Sequence, residues 1–120
     1  MRETEALAEE EGLPPLGARV LMTTRFMPGQ TVSALRAHLG ATVPTLARIL
    51  GDLDRRGLIE RRRDETEESD GRTRRVYLSH TGLQLTDPAV IALRDRLRRA
   101  YRMAGADAVS GVRTVLEKLR

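Results

Sequence analysis

The residues with most chemistry to offer are arginines. Arg48 and Arg55 fall in LARILGDLDRRGLIERR, and Arg72, Arg74 and Arg75 in DGRTRRVYLSHTG. A guanidinium presents a rigid planar fork of donors that matches the oxygens of phosphate and carboxylate and the edge of guanine. A turn that only joins two strands needs Asp-Gly or Asn-Gly, because glycine supplies the positive φ of the reversal. Three arginines after Asp70-Gly71 are therefore surplus to the turn, and either they are solvated or they grip something acidic. Other chemistries find no residues. His38 and His80 are isolated, cysteine is absent, and no P-loop, G-x-G-x-x-G or G-x-S-x-G occurs. No catalytic residue, metal or cofactor is expected, and the two histidines read as structural.

The elements that carry these arginines must come from a chain of 120 residues, the length of one domain, taken here as 1–120. Apolar residues make up 40% but aromatics only 2% (Phe26, Tyr77 and Tyr101), so the core must be built from Leu, Val, Ile, Ala and Met. Twenty arginines stand beside one lysine, Lys118, and the formal charge is +4, a balance that mildly favours nucleic acid. No apolar run approaches the roughly 20 residues of a membrane span. The N-terminus, MRETEALAEEEG, is acidic where a signal peptide would be basic and then apolar. A cytoplasmic protein with no membrane partner is expected.

Residues 3–10 read as a short acidic helix ending at Gly12, and a second helix opens at Pro14 or Pro15 and stops at Pro28-Gly29. In TVSALRAHLG, Val32, Leu35 and Leu39 fall at helical spacing, Thr31 can cap and Gly40 can close in the left-handed region. Thr42 is the next N-cap and Pro44 sits in the first turn. Leu46, Ile49, Leu50 and Leu53 then share one face, and Arg48, Gly51 and Arg55 the other. Residues 58–63 and 72–79 read as strands of a hairpin with a polar loop, Val76 and Leu78 pointing one way. Only one of Arg74 and Arg75 can then point to a given side. Beyond Gly82 helix returns, with Val90, Leu93, Leu97, Ala100 or Tyr101, and Ala104 on one stripe and Val109, Val112, Leu116 and Leu119 on another.

Two short helices joined by a four-residue turn and followed by a hairpin are the parts of a winged helix-turn-helix, a mainly α (α+β) fold. Its second helix, about 10 to 12 Å across, fits a DNA major groove about 12 Å wide. The arginines of DGRTRR would then be the grip of the wing on the backbone or the minor groove.

LARILGDLDRRGLIERR followed by DGRTRRVYLSHTG resembles the recognition helix, the "LxxxGLIxR" corner and the "D-x-R…V-x-L-T-x-x-G" wing of the MarR family of bacterial transcription regulators, with Ser79 where threonine is common. The likeness runs from about Leu16 to Gly82, and PadR-like and other short winged-helix regulators share much of it. It implies a winged DNA-binding lobe over 14–82, flanked by dimerisation helices in 1–13 and 83–120. It also implies a homodimer, a repressor, on a pseudo-palindromic duplex operator, often released by a small-molecule effector. Carried onto this chain, Thr42, Pro44, Thr45 and Arg48 would face the major groove, and Arg72 would sit at the wing tip supported by Asp70. With Arg55, Arg74 and Arg75 these are the expected DNA contacts, Pro44 being more a helix-start device than a contact. Leu93, Leu97, Tyr101, Val112 and Leu116 are the expected dimer interface.

The chain departs from that pattern in its very short first helix and in five acids between Asp64 and Asp70. Residues 42–75 hold nine arginines against eight acids, so a DNA-binding face requires the acids to point away. Arg94, Arg96, Arg98, Arg99 and Arg102, opposed only by Asp95, are either a backbone-contacting flank or, as favoured here, the solvated back of a dimerisation helix. A protein-interaction module and an RNA-binding winged helix are the alternatives. The second is disfavoured by the three aromatics, since single-strand binders stack bases on such side chains.

Overall fold

The protein is described by a computed structural model that covers residues 1–64, 73–104, 115, 116, 118 and 119. Arg72, Asp70, Val112 and all but the first acid of the wing loop lie outside the described residues. In chain order the elements are α1 (Arg2–Glu11), α2 (Pro15–Phe26), β1 (Gln30–Thr31), α3 (Val32–Leu39), α4 (Val43–Arg55), β2 (Ile59–Arg63), β3 (Arg74–Leu78) and α5 (His80–Ala104). The fold is a winged helix-turn-helix with helices on either side in the chain.

Local chemistry sets the helix-turn-helix. The Thr31 hydroxyl accepts from the Ala34 N–H at 3.1 Å and so satisfies one free donor at the start of α3. Gly40 closes α3 at φ 64°, a conformation that costs a residue with a Cβ. The connection is 40–42, one residue tighter than expected, because Thr42 already caps α4 through the Thr45 N–H at 3.4 Å. Leu46, Ile49, Leu50 and Leu53 are all buried, as their spacing requires, and pack with Val20, Leu21, Leu35, Leu58, Ile59, Val76 and Leu78 in the main core.

The sheet has three strands in the order β1-β3-β2, both pairings antiparallel. The hairpin was expected; β1 was not, since two residues are too short for any periodicity. It exists because Gly29, at φ 81°, turns the chain under Tyr77 and brings Gln30 opposite Val76 and Thr31 opposite Arg75.

One corner joins the lobe to the last helix. Ser79 caps α5: its Oγ accepts from the Gly82 N–H at 3.0 Å and donates to the Gly57 carbonyl at 2.6 Å, while its N–H donates to the Leu58 carbonyl at 3.1 Å. The helix thus begins at His80, two residues before Gly82. Gly82 lies so close that a Cβ there would overlap the Leu58 carbonyl oxygen.

A second, smaller core of Leu7, Ala18, Met22, Ala89 and Val90 holds α1, α2 and α5 together. Two arginines tie its edges. Arg25 on α2 reaches the Leu83 carbonyl at 2.9 Å, the Thr86 hydroxyl at 3.2 Å and the Asp87 carboxylate at 2.8 Å. Arg96 on α5 makes a two-pronged bond to Glu3 on α1, at 2.6 and 3.0 Å, with Glu3 almost wholly buried. These donors hold the Glu3 carboxyl below its ordinary value of 4.5, against the opposing effect of burial.

Two outcomes follow from this packing. Gly82→Ala should lower unfolding free energy by about 2 kcal/mol or more in urea titration, since the overlapped atom is backbone and cannot swing aside. Glu3→Gln should cost about 1 to 3 kcal/mol at neutral pH. Because the folded carboxyl is depressed, the pair stabilises fully above the unfolded value, about 4.5, and loses its effect as pH falls through the folded value. The gap between wild type and Glu3→Gln should therefore close in acid, which a pH series of urea melts will measure.

Candidate nucleic-acid interface

With the Leu46, Ile49, Leu50 and Leu53 face of α4 buried, the opposite face is turned to solvent. Thr42, Val43, Pro44, Ala47 and Arg48 are exposed, Val43 by 64%. Arg55 lies two turns, about 10 Å, beyond Arg48 on the same ridge. Its side chain is 73% exposed and only 3.9 Å from the Asp52 carboxylate, a pair of little strength in solvent. Gly51 leaves room for that guanidinium to lie along the helix, a Cβ there coming 3.5 Å from an Arg55 terminal nitrogen. Asp52 is closer to Arg56, at 3.2 Å. Arg48 has no ion pair among the described residues. Thr45 is partly buried and takes a 2.8 Å hydrogen bond from the Thr42 hydroxyl, so these two threonines serve the helix start first.

The wing divides its arginines by register. Ile59 faces Leu78, Arg61 faces Val76 and Arg63 faces Arg74, and residues directly opposite share a side of the hairpin. Arg61, Arg63 and Arg74 thus continue, toward the free end, the side whose root is the buried Ile59, Val76 and Leu78; all three are exposed. Arg75 emerges on the other side and is tied inward: it pairs with the Asp64 carboxylate at 3.0 Å and donates to the Gly29 carbonyl at 2.8 Å. Arg62, on that same side, lies 4.3 Å over the Tyr77 ring and pairs with Glu60 at 2.8 Å.

The sequence reading named Arg74 and Arg75 alike, and the structure separates them: Arg75 holds the wing root. It passed over Arg61 and Arg63, although the alternation in LIERRR places both with Ile59. Asp64, first of the five acids, is buried and neutralised by Arg75. Of the expected interface residues, Leu93 is covered within its own chain, Leu97 is partly buried, and Tyr101 and Leu116 are 53% and 43% exposed. His38, read as structural, is exposed and lines with Met22, Phe26, Met27, Leu39 and Leu93 a cavity of about 640 Å³ beside α2. Among the described residues no cluster of His, Asp or Glu could hold a metal, and no helix is long and apolar enough to cross a membrane.

An outward helix face above a basic hairpin defines the winged helix-turn-helix class. The MarR family model matches residues 11–72, just over half of the chain, and the chain belongs to that family. It is 41% identical over 92 residues to the HTH-type transcriptional regulator PetP of Rhodobacter capsulatus, a match covering 77% of this chain and 54% of that protein. The chain thus spans about half the length of this curated relative. Among solved structures, a point mutant of MepR from a multidrug resistant S. aureus clinical isolate is similar at TM-score 0.76 and 19% identity, over 97% of this chain and 83% of that one. Another S. aureus MepR mutant, bound to an oligodeoxyribonucleotide, gives TM-score 0.66 and 18% identity over 98% and 85%. At these identities the structural likeness speaks for the fold.

The two kinds of arginine are separable in solution. Arg75→Ala should destabilise the protein by about 1 to 3 kcal/mol, because it breaks a bridge to a buried carboxylate. Arg48→Ala should stay within about 0.5 kcal/mol of wild type, as surface changes do. Paired urea melts will check both.

Proposed function

We propose that this chain is a sequence-specific, duplex DNA-binding transcriptional regulator, a cytoplasmic homodimeric repressor rather than an enzyme. The observation that carries the reading is the pair Arg48 and Arg55, exposed on one ridge of a helix whose other face is wholly buried. A recognition helix needs that arrangement: a rigid inner face for position and uncommitted donors outside for base edges or phosphates. Thr42, Pro44 and Thr45 at its N-terminal turn enter the groove first. Arg61, Arg63 and Arg74, together with Arg72, supply the wing's contacts to the backbone or minor groove. The name of the PetP relative, a transcriptional regulator, and the oligodeoxyribonucleotide in the MepR mutant support the same reading.

A two-fold operator calls for two copies, and Leu97, Tyr101 and Leu116, with Val112, supply the dimer contact. The cavity beside α2 has the size and apolar lining of a small-molecule site and is the place for an effector. With no cysteine in the chain, control by thiol oxidation has no residue to act on.

Salt titrations of affinity on a selected operator and on random duplex test the reading. Arg48→Ala should cost about 1 to 3 kcal/mol on the operator alone if it reads a base. Arg72→Ala should weaken both DNAs and lower the salt slope by about one unit, as loss of one phosphate contact does. If neither variant changes either affinity, this surface does not bind DNA.

A further inference from the structure

Val43 stands where the fold has no use for it. It occupies the first helical position of α4, 64% exposed, while the core of that helix lies on the Leu46, Ile49, Leu50 and Leu53 face. A β-branched side chain is a poorer helix former than alanine or leucine, and in solvent it has nothing to bury against. The Thr42 hydroxyl already caps the helix by accepting from the Thr45 N–H at 3.4 Å, so Val43 does not serve the helix start either. Pro44 and Ala47 are exposed beside it, Ala47 at i, i+4 from Val43 and i, i+3 from Pro44. The three form a small patch whose side chains hold no donor and no acceptor.

The rest of the first turns narrows what this surface can read. TVPTLARILG, residues 42–51, contains no Asn, Gln, Asp or Glu. Thr42 gives its one hydroxyl proton to Thr45 at 2.8 Å, and Arg48 is exposed with an uncommitted fork. The acids come later in the helix. Asp52 pairs with Arg56 at 3.2 Å, and the exposed Asp54 stands about 10 Å beyond Ala47 along the axis. In the major groove guanine shows two acceptors, adenine an acceptor and an amino donor, cytosine an amino donor, and thymine an acceptor and a C5 methyl group. A surface without carboxylate or amide side chains has no partner to set against the amino groups of adenine and cytosine. It can select guanine through the Arg48 fork, and thymine through the methyl group, which an apolar patch takes out of water.

We propose that Val43, backed by Pro44 and Ala47, is a specificity-determining contact that reads the C5 methyl group of a thymine in the major groove, close to a guanine read by Arg48. Val43 and Arg48 are about 7.5 Å apart along the helix axis and base pairs stack at about 3.4 Å, so the two bases lie within about three base pairs of each other. The contact involves no charge, and it therefore favours the operator over random duplex. The inference rests on the duplex DNA reading proposed above and adds the base feature that the first turn of α4 selects.

The test uses the full chain and an operator selected from random duplex, with each thymine of a half-site replaced in turn by deoxyuridine. That replacement deletes the C5 methyl group and leaves the pairing edge intact. One such replacement should weaken wild-type binding by about 4-fold, the effect of one buried methyl group. Val43→Ala should lose a similar factor on the unmodified operator and respond by less than about 2-fold to the same replacement, because the partner of the methyl group has gone. Its affinity for random duplex and its salt slope should equal those of wild type, since no phosphate contact is touched. Alanine is the better helix former at an exposed site, and coincident thermal melts will show that the variant folds. The proposal is overturned if no deoxyuridine replacement changes wild-type affinity, or if Val43→Ala keeps the full wild-type response. It is overturned likewise if Val43→Ala weakens random duplex as much as operator, which would make the position a backbone contact. A chain that loses operator affinity on Arg48→Ala yet ignores the methyl groups overturns this inference alone, whereas a chain that binds no duplex overturns the DNA reading with it.

Discussion

Gly82 pressed against the Leu58 carbonyl is the contact on which the arrangement of the molecule depends. Within this corner α4 has ended at Arg55 and Gly57 turns the chain at φ 70°, the wing begins at Ile59 and returns at Leu78, and the last helix starts at His80. Ser79 adds three hydrogen bonds, to Gly57, Leu58 and Gly82. A side chain at position 82 would separate elements that must share this space, so the angle of α5 and the angle of the wing are set by the same few atoms.

The arginines show how one residue type serves two purposes in a small basic protein. Arg25, Arg75 and Arg96 each bridge separate segments through a carboxylate, and the last two meet a carboxylate that is itself buried. Removing such a bridge exposes the cost of burying the charge it neutralised. Arg48, Arg61 and Arg63 project from rigid elements into solvent, where lost hydration costs little until a partner arrives. Position along the chain does not distinguish the groups, as the neighbours Arg74 and Arg75 demonstrate.

The near balance of charge over residues 42–75 looked unpromising for a phosphate-binding face. It becomes less so once Asp64 is seen buried under Arg75, Glu60 against Arg62, and Asp52 against Arg56. Asp64 and Glu60 are paired on the inward-tied side of the wing, and Asp52 lies closer to Arg56, at 3.2 Å, than to Arg55 of the ridge, at 3.9 Å.

By itself the sequence determined the helices and which face of α4 turns outward, because those rest on local rules. Thr31 and Thr42 cap, Gly40 turns, and the Leu46, Ile49, Leu50, Leu53 spacing selects one face and leaves Arg48 and Arg55 on the other. The LxxxGLIxR and D-x-R signals carried the family. Tertiary structure alone decided the rest. β1 needs β3 to exist at all, Arg75 owes its role to Asp64 and Gly29, which are distant in sequence, and Leu93 is covered only because α1 and α2 pack beside it. Arg61 and Arg63 joined the candidate surface through strand register, a property of the pair of strands. Such contacts join residues far apart in the chain, and no periodicity within a short window encodes which distant group a side chain will meet.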